Sequence, residues 1–336
     1  MSALQAPAPR TSTPPPAQPT RALAGGTLRE AVTTALKESP ELPHPGGGGT
    51  RARWQALARW AARDLALVKV LEAHHDARAI CTDLDGPRIA AGELWAVWAA
   101  EAPNARLLFR DGHVQGAKAW CSGADLVTHA LVTVHLDDGA RALAAVDMRS
   151  DGIAIDDGAW QAVGMAAVRS GTVAFDHVPA VLVGAPGAYL DRPGFWHGGA
   201  GIAACWQGGA VAIADLLRRH PRVAGDPHAA AHLGAVDVVL GSTAALLREL
   251  ASHIDAHPLD PAIARVQRVR AAVEHACSEV IARVSRALGA APLCMDGVHA
   301  QRCADLAVFI RQQHAERDLQ ALGEALHAAP THGWWP

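Results

Sequence analysis

The stretch from residue 105 to residue 190 narrows the choice of fold more than any other. It holds six short apolar runs, at 106–110, 113–121, 130–136, 140–148, 153–160 and 171–178, separated by Asp-Gly or Gly-containing turns. Runs of that length and spacing read as strands of an antiparallel barrel or sandwich. The clearest turn is Asp111-Gly112, because an Asp-Gly pair between extended runs is the strongest short hairpin signal. Its second arm leads into Gly116-Ala117-Lys118-Ala119-Trp120-Cys121-Ser122-Gly123-Ala124-Asp125. That arm carries a large flat aromatic, Trp120, to the strand end. A small hydroxyl, Ser122, follows, then a glycine that lets the backbone approach another group. Two readings fit: a Trp packed in a β-core beside a turn, or a platform with free donors for a planar heteroaromatic cofactor.

Helical patterns flank the strands. Trp54, Leu57, Ala61, Leu65, Val68 and Leu71 recur at three and four, which predicts one long amphipathic helix over 51–80. His74-His75-Asp76 reads as the polar end of that helix. A short helix is predicted at 92–100, carrying Trp95 and Trp98 and ended by Pro103. Downstream, helices are expected at 200–219, 228–257, 259–288 and 297–327, broken at Pro221, His257-Pro258 and Pro292. Long helices with short loops suggest an antiparallel four-helix bundle. Residues 1–49 are rich in Pro, Ala, Thr and Gly and read as a disordered tail and linker, apart from a possible short helix at 27–38. The expected division is tail 1–49, helical part 50–103, β-domain 104–190, bundle 191–328 and tail 329–336.

Composition limits function. With 336 residues, half of them apolar, a sizeable core is available, and a net charge of -3 leaves no nucleic-acid footprint. Six Cys without a CxxC pair read as buried thiols of a reduced, cytoplasmic protein. No uninterrupted apolar run reaches the roughly 18 residues of a membrane span, and no signal peptide is read. Gly199-Ala200-Gly201-Ile202-Ala203-Ala204 spells GxGxxA, but no strand precedes it, so close helix packing is the reading. His228/His232 and His253/His257 stand i, i+4 without an HExxH glutamate, and no metal is assigned.

Two motifs together resemble the acyl-CoA dehydrogenase family. Gly116, Lys118, Trp120, Ser122 and Asp125 match its Gly-x-Lys-x-Trp-Ile-Thr-Asn-Gly, then Ala-Asp, by type and order. Trp160 to Met165 and Ser170 to Pro179 resemble its Leu-Gly-Met-Arg and Val-x-Phe-Asp-x-Val-x-Val-Pro runs. The resemblance extends over about Leu94 to Leu326, with the family's N-terminal helical domain cut short. It implies an α+β architecture: a short helical part, a central antiparallel β-barrel or sandwich, and the C-terminal bundle.

Further implications concern the site. Trp120 would pack on the flavin of FAD, and Ser122 would hydrogen-bond near the ring's reactive nitrogen. Arg222, near Arg218 and Arg219, stands about where the family's arginine reaches the flavin pyrophosphate of a neighbouring subunit. The family's Glu-Pro-x-x-Gly-Ser-Asp flavin loop survives only as Glu101 and Pro103. The family's catalytic Glu falls at Gln313 or His314; Gln cannot accept a proton, whereas an imidazole can, and Glu316 is the spare carboxylate. The leading expectation is α,β-dehydrogenation of an acyl-CoA by a homodimer or tetramer. A flavin monooxygenase, or a non-catalytic subunit of a heteromer with a related chain, are the alternatives.

Overall fold

The computed structural model describes residues 27–329 and Trp334. Helix α1 (Leu28–Glu38) occupies the short helix read at 27–38. Its start is a capping box: Thr27 Oγ1 accepts from the Glu30 amide, and the Glu30 carboxylate accepts from the Thr27 amide. The helix buries Leu28, Val32 and Ala35 in the main core. Residues 39–49 are anchored rather than a free linker, since the amides of Gly48 and Thr50 both donate to Asp255. The first 26 residues of the expected tail lie outside the described residues.

The long helix read over 51–80 is two helices, α2 (Thr50–Arg63) and α3 (Leu65–Asp83). Asp64 is extended between them, and its Oδ1 accepts from the Leu67 amide as N-cap of α3. A capping aspartate restarts the helix without disturbing the apolar spacing, so periodicity alone ran through the break. His74, His75 and Asp76 are not a solvated end. Both histidines are buried mid-helix, and His74 Nδ1 accepts from the Trp95 amide.

The segment read as a helix at 92–100 contains a strand, β1 (Trp95–Trp98). Two Trp three apart suit a helix turn, but Ala96 and Trp98 enter the barrel core while Trp95 and Val97 face α3. Strands β2 (Leu107–Arg110), β3 (His113–Ser122), β4 (His129–His135), β5 (Arg141–Asp147), β6 (Ile153–Asp156) and β7 (Ser170–Leu182) follow. The β2–β3 hairpin turns on Asp111 and Gly112, both at positive φ, as a type I′ turn requires. The order is β1-β4-β2-β3-β7-β5, and a further β4–β5 pairing closes the ring. The barrel is mixed: β4 pairs in parallel with both β1 and β2. Val114, Val132, Val146, Val173 and Phe175 fill its inside.

The remaining helices are α4 (Ala188–Asp191), α5 (Pro193–Arg219), α6 (Arg222–Gly225), α7 (Pro227–Ala256), α8 (Ile263–Leu288), α9 (Ala291–Met295), α10 (Gly297–Phe309) and α11 (Glu316–Ala328). By length and composition α5 and α7 could each cross a membrane. In α5 that composition belongs to a core helix packed on α2, α7 and α8. Its small residues permit close approach: a Cβ at Gly208 would lie 2.1 Å from the Ala58 carbonyl oxygen. The helix read at 297–327 breaks after Phe309 into a 3-10 turn, Ile310–Gln312, then an extended Gln313 and Ala315 at positive φ. No Gly or Pro marks this break. It is held by tertiary bonds: Arg270 Nη2 donates to the Gln312 carbonyl, and the His314 amide donates to Asp318. Of the six cysteines, five are buried and Cys294 is exposed, so the reading of six buried thiols fails at that one.

Candidate functional site

Two places can meet a small molecule, and β1 stands between them. The first is the end of β3. The β3–β7 register shifts between Lys118 and Cys121, and within that bulge Trp120 has φ +61. Bulges re-aim a side chain, and here the indole is turned outward, 59% exposed. Trp160 meets it edge-on at 6.3 Å, and the buried Trp160 Nε1 has no hydrogen-bond partner among the described residues. The Ser122 and Ser170 hydroxyls lie 2.8 Å apart. Trp98 Nε1 donates to the Ser122 carbonyl, which ties this strand end to β1.

The loop after β6 closes this rim by docking on α10. The Met165 amide donates to Asp305 Oδ1 at 2.5 Å. Gly164 lies so close to α10 that a Cβ there would stand 2.0 Å from the Ala304 carbonyl oxygen. Beneath the rim, the Lys118 ammonium is buried and donates to Glu101 Oε1 (2.8 Å) and Thr133 Oγ1 (2.5 Å). Burial alone would raise the Glu101 carboxyl, but the bonds from Lys118, Thr133 and His135 hold it below its ordinary value. Glu101, which the resemblance had set in a flavin loop, here anchors Lys118.

The second place is a cavity of about 320 Å³ between α3, β1, α5, α8 and the 310–318 segment. Val97, Ala99, Tyr189, Phe195 and Trp196 are on its wall, with Lys69, Glu72, Asp76, Arg192, Gln267, Arg270, Gln313, His314 and Asp318. Glu72 is 6% exposed and feels its neighbours by charge alone, with no hydrogen bond among the described residues. Burial raises its carboxyl to about 7, against the opposing pull of Lys69. Asp76 Oδ1 and Gln313 Oε1 are buried without partners. Two of the three cations bond elsewhere, and Lys69 makes no ion pair among the described residues. Arg192 pairs with Asp83 at 2.7 Å. Arg270 donates to the Gly199 and Gln312 carbonyls and lies over the Trp206 ring. Burial lowers Arg270 to about 10.

The sequence-read residues fall as follows. His314 lines the cavity, half-exposed, with its Nδ1 3.3 Å from Asp318 Oδ1. Gln313 is buried beside it. Glu316 opens α11 and is not on the cavity wall, so the structure does not bring the spare carboxylate to the pocket. Arg222 Nε donates to Asp226 Oδ2 at 2.8 Å, at the surface and away from the cavity. Arg311 pairs with Glu274. His253 bonds Asp260, and no cluster of metal-binding side chains occurs among the described residues. Glu72, Asp76 and Arg270 were missed. For the two acids the one sequence signal is their spacing of four within 65–81; nothing local marks Arg270.

No protein-family model matches this sequence, and no curated protein matches it either. Solved structures do. TdsC from Paenibacillus sp. A11-2, in complex with FMN and indole, is 19% identical with a TM-score of 0.74, covering 92% of this chain and 91% of that one. A glutaryl-CoA dehydrogenase from Mycobacterium smegmatis with FADH2 is 14% identical at 0.78, covering 91% and 88%. Butyryl-CoA dehydrogenase from Megasphaera elsdenii is 15% identical at 0.73, covering 89% and 88%. The chain has the acyl-CoA dehydrogenase fold. Within it the β-domain motifs occupy the barrel rim, and the position expected for the catalytic glutamate falls at the pocket wall as Gln313 and His314.

Proposed function

We propose that the chain is a flavin-dependent oxidoreductase whose organic substrate occupies the α3–α5–α8 pocket. The observation that carries this reading is the outward-turned Trp120 indole beside the unbonded Trp160 N–H, in a chain of this fold. A flat ring edged with acceptor atoms fits that place. Trp120 offers it an apolar face and Trp160 Nε1 a donor, and the Ser122 hydroxyl can add a second by turning its proton away from Ser170. A bound flavin supplies electron and hydride acceptance, or oxygen activation once reduced. FAD is the flavin implied by the resemblance, and a phosphate role for Arg222 requires a second copy of the chain.

The residues of this chain supply substrate binding and proton movement. Aromatic walls exclude water. His314, oriented by Asp318 through Nδ1, keeps Nε2 for a proton of the substrate. That pairing favours the monooxygenase reading over acyl-thioester dehydrogenation, because the 313–316 segment brings no carboxylate to the pocket wall. The reading is tested by the absorbance of the purified protein. Flavin-like absorbance near one equivalent per chain is expected; protein that stays colourless after incubation with FMN or FAD points to the non-catalytic subunit. Anaerobic bleaching by an acyl-CoA would restore the dehydrogenase reading. His314→Ala should slow turnover by about a hundredfold or more, as loss of a general base does. The exposed apolar residues of α7, Val238 among them, are where we place a second copy, checked by light scattering.

A further inference from the structure

Two acids on the pocket wall make no hydrogen bond among the described residues, and their pairing points to the chemistry of its ligand. Glu72 is a carboxylate more than nine-tenths buried, on the cavity wall, with no hydrogen bond. Asp76 stands one turn further along α3 on the same face, with Oδ1 unbonded. The close approach of α5 is built for it: a Cβ at Gly198 would lie 2.7 Å from Asp76 Oδ1. Gln313 Oε1 is a third unbonded acceptor. A glutamine amide can be turned end for end, but an ionised carboxylate only accepts, so two acids side by side favour a cation.

Unbonded buried acceptors are costly, and a buried carboxylate without a partner more so. The protein's own cations Lys69, Arg53 and Arg270 act on Glu72 through charge, but none of them hydrogen-bonds either acid among the described residues. Arg270 donates to carbonyls, Arg192 Nη1 to Asp83 while its Nε is left unbonded, and Arg53 to the Pro43 carbonyl. Lys69 faces the cavity without an ion pair to either acid among the described residues. Aromatic rings on the same wall suit a cation as well as an apolar body. Resting on the reading of this cavity as the substrate site, we propose that its substrate is a small molecule bearing a protonated amine, the ammonium seated between Glu72 and Asp76. Lys69 then stays outside, repelled by the bound ammonium. Seating a cation favours ionised Glu72, so binding near neutral pH releases a proton from a carboxyl that burial has raised to about 7.

The test is calorimetry on the full-length protein with three probes of one shape: 2-phenylethylammonium, 2-phenylethanol and 3-phenylpropionate. The ammonium is expected to bind at least tenfold more tightly than the other two. Repeating the titration in buffers of different ionisation enthalpy should show proton release at pH 7. Glu72→Gln and Asp76→Asn should each weaken the ammonium at least tenfold, and Glu72→Gln should abolish proton release. Equal binding of the three probes, preference for the carboxylate, no ammonium binding at millimolar concentration, or ammonium binding untouched by both variants overturns the proposal. Circular dichroism of each variant confirms folding, and Asp76→Asn stands in if Glu72→Gln unfolds. Absorbance separates this from the flavin reading. Colourless protein that binds the amine sinks only the latter; yellow protein indifferent to it sinks only the former.

Discussion

Around Trp120 the charged pairs are bonded: Lys118 with Glu101, which Thr133 and His135 also reach, and Arg169 with Asp157. Across β1, in the pocket, Glu72 and Asp76 make no hydrogen bond among the described residues, while Arg270 and Arg192 bond elsewhere. The rim is therefore a finished scaffold with a flat face left open. The pocket is an unfinished electrostatic site, and a polar group left unbonded at low dielectric is one that a ligand completes.

That contrast can be broken by mutation. Lys118→Met beneath the rim should cost the most, about 3 kcal/mol, because it strands Glu101; chemical denaturation measures it. A loss under about 1 kcal/mol would mean that the pair is no more settled than the pocket acids. Glu72→Gln should do the opposite. Its raised folded value means that the wild-type contribution is fully present below the unfolded carboxyl range near 4.5. It is lost as pH climbs through about 7. The variant should thus gain on wild type between those limits, by on the order of 2 kcal/mol at pH 8, seen as a widening gap in melting temperature. A constant gap across that range would put Glu72 in water.

Two smaller effects sharpen the comparison. Trp120→Ala should leave stability nearly unchanged, since the ring is exposed, yet weaken flavin retention about tenfold, near 1.4 kcal/mol. Equal losses in both would return Trp120 to the core. Arg222→Ala should change stability by no more than about 0.5 kcal/mol, as surface pairs do. A large fall in flavin retention on assembly would instead place Arg222 on a neighbouring copy's cofactor.

The barrel was legible because strand alternation and Asp111-Gly112 are local signals, and the Trp120 stretch could be weighed residue by residue. Misreadings arose where local signals were ambiguous or silent. Trp95 and Trp98 satisfied two periods at once, and Asp64 capped a new helix without breaking the spacing. The 310–315 turn, with neither Gly nor Pro, carried no mark at all.

The sequence alone determined the order of helical and extended segments, the hairpin and the aromatic-hydroxyl pattern of the rim, because each depends on neighbours a few residues away. Only the tertiary structure decided that Glu72 and Asp76 face a cavity unbonded, and that Gln313 and His314 leave the helix to join them. Burial and the absence of a partner depend on α3, β1, α5, α8 and the 310–318 turn meeting in space, and no spacing along the chain encodes that meeting.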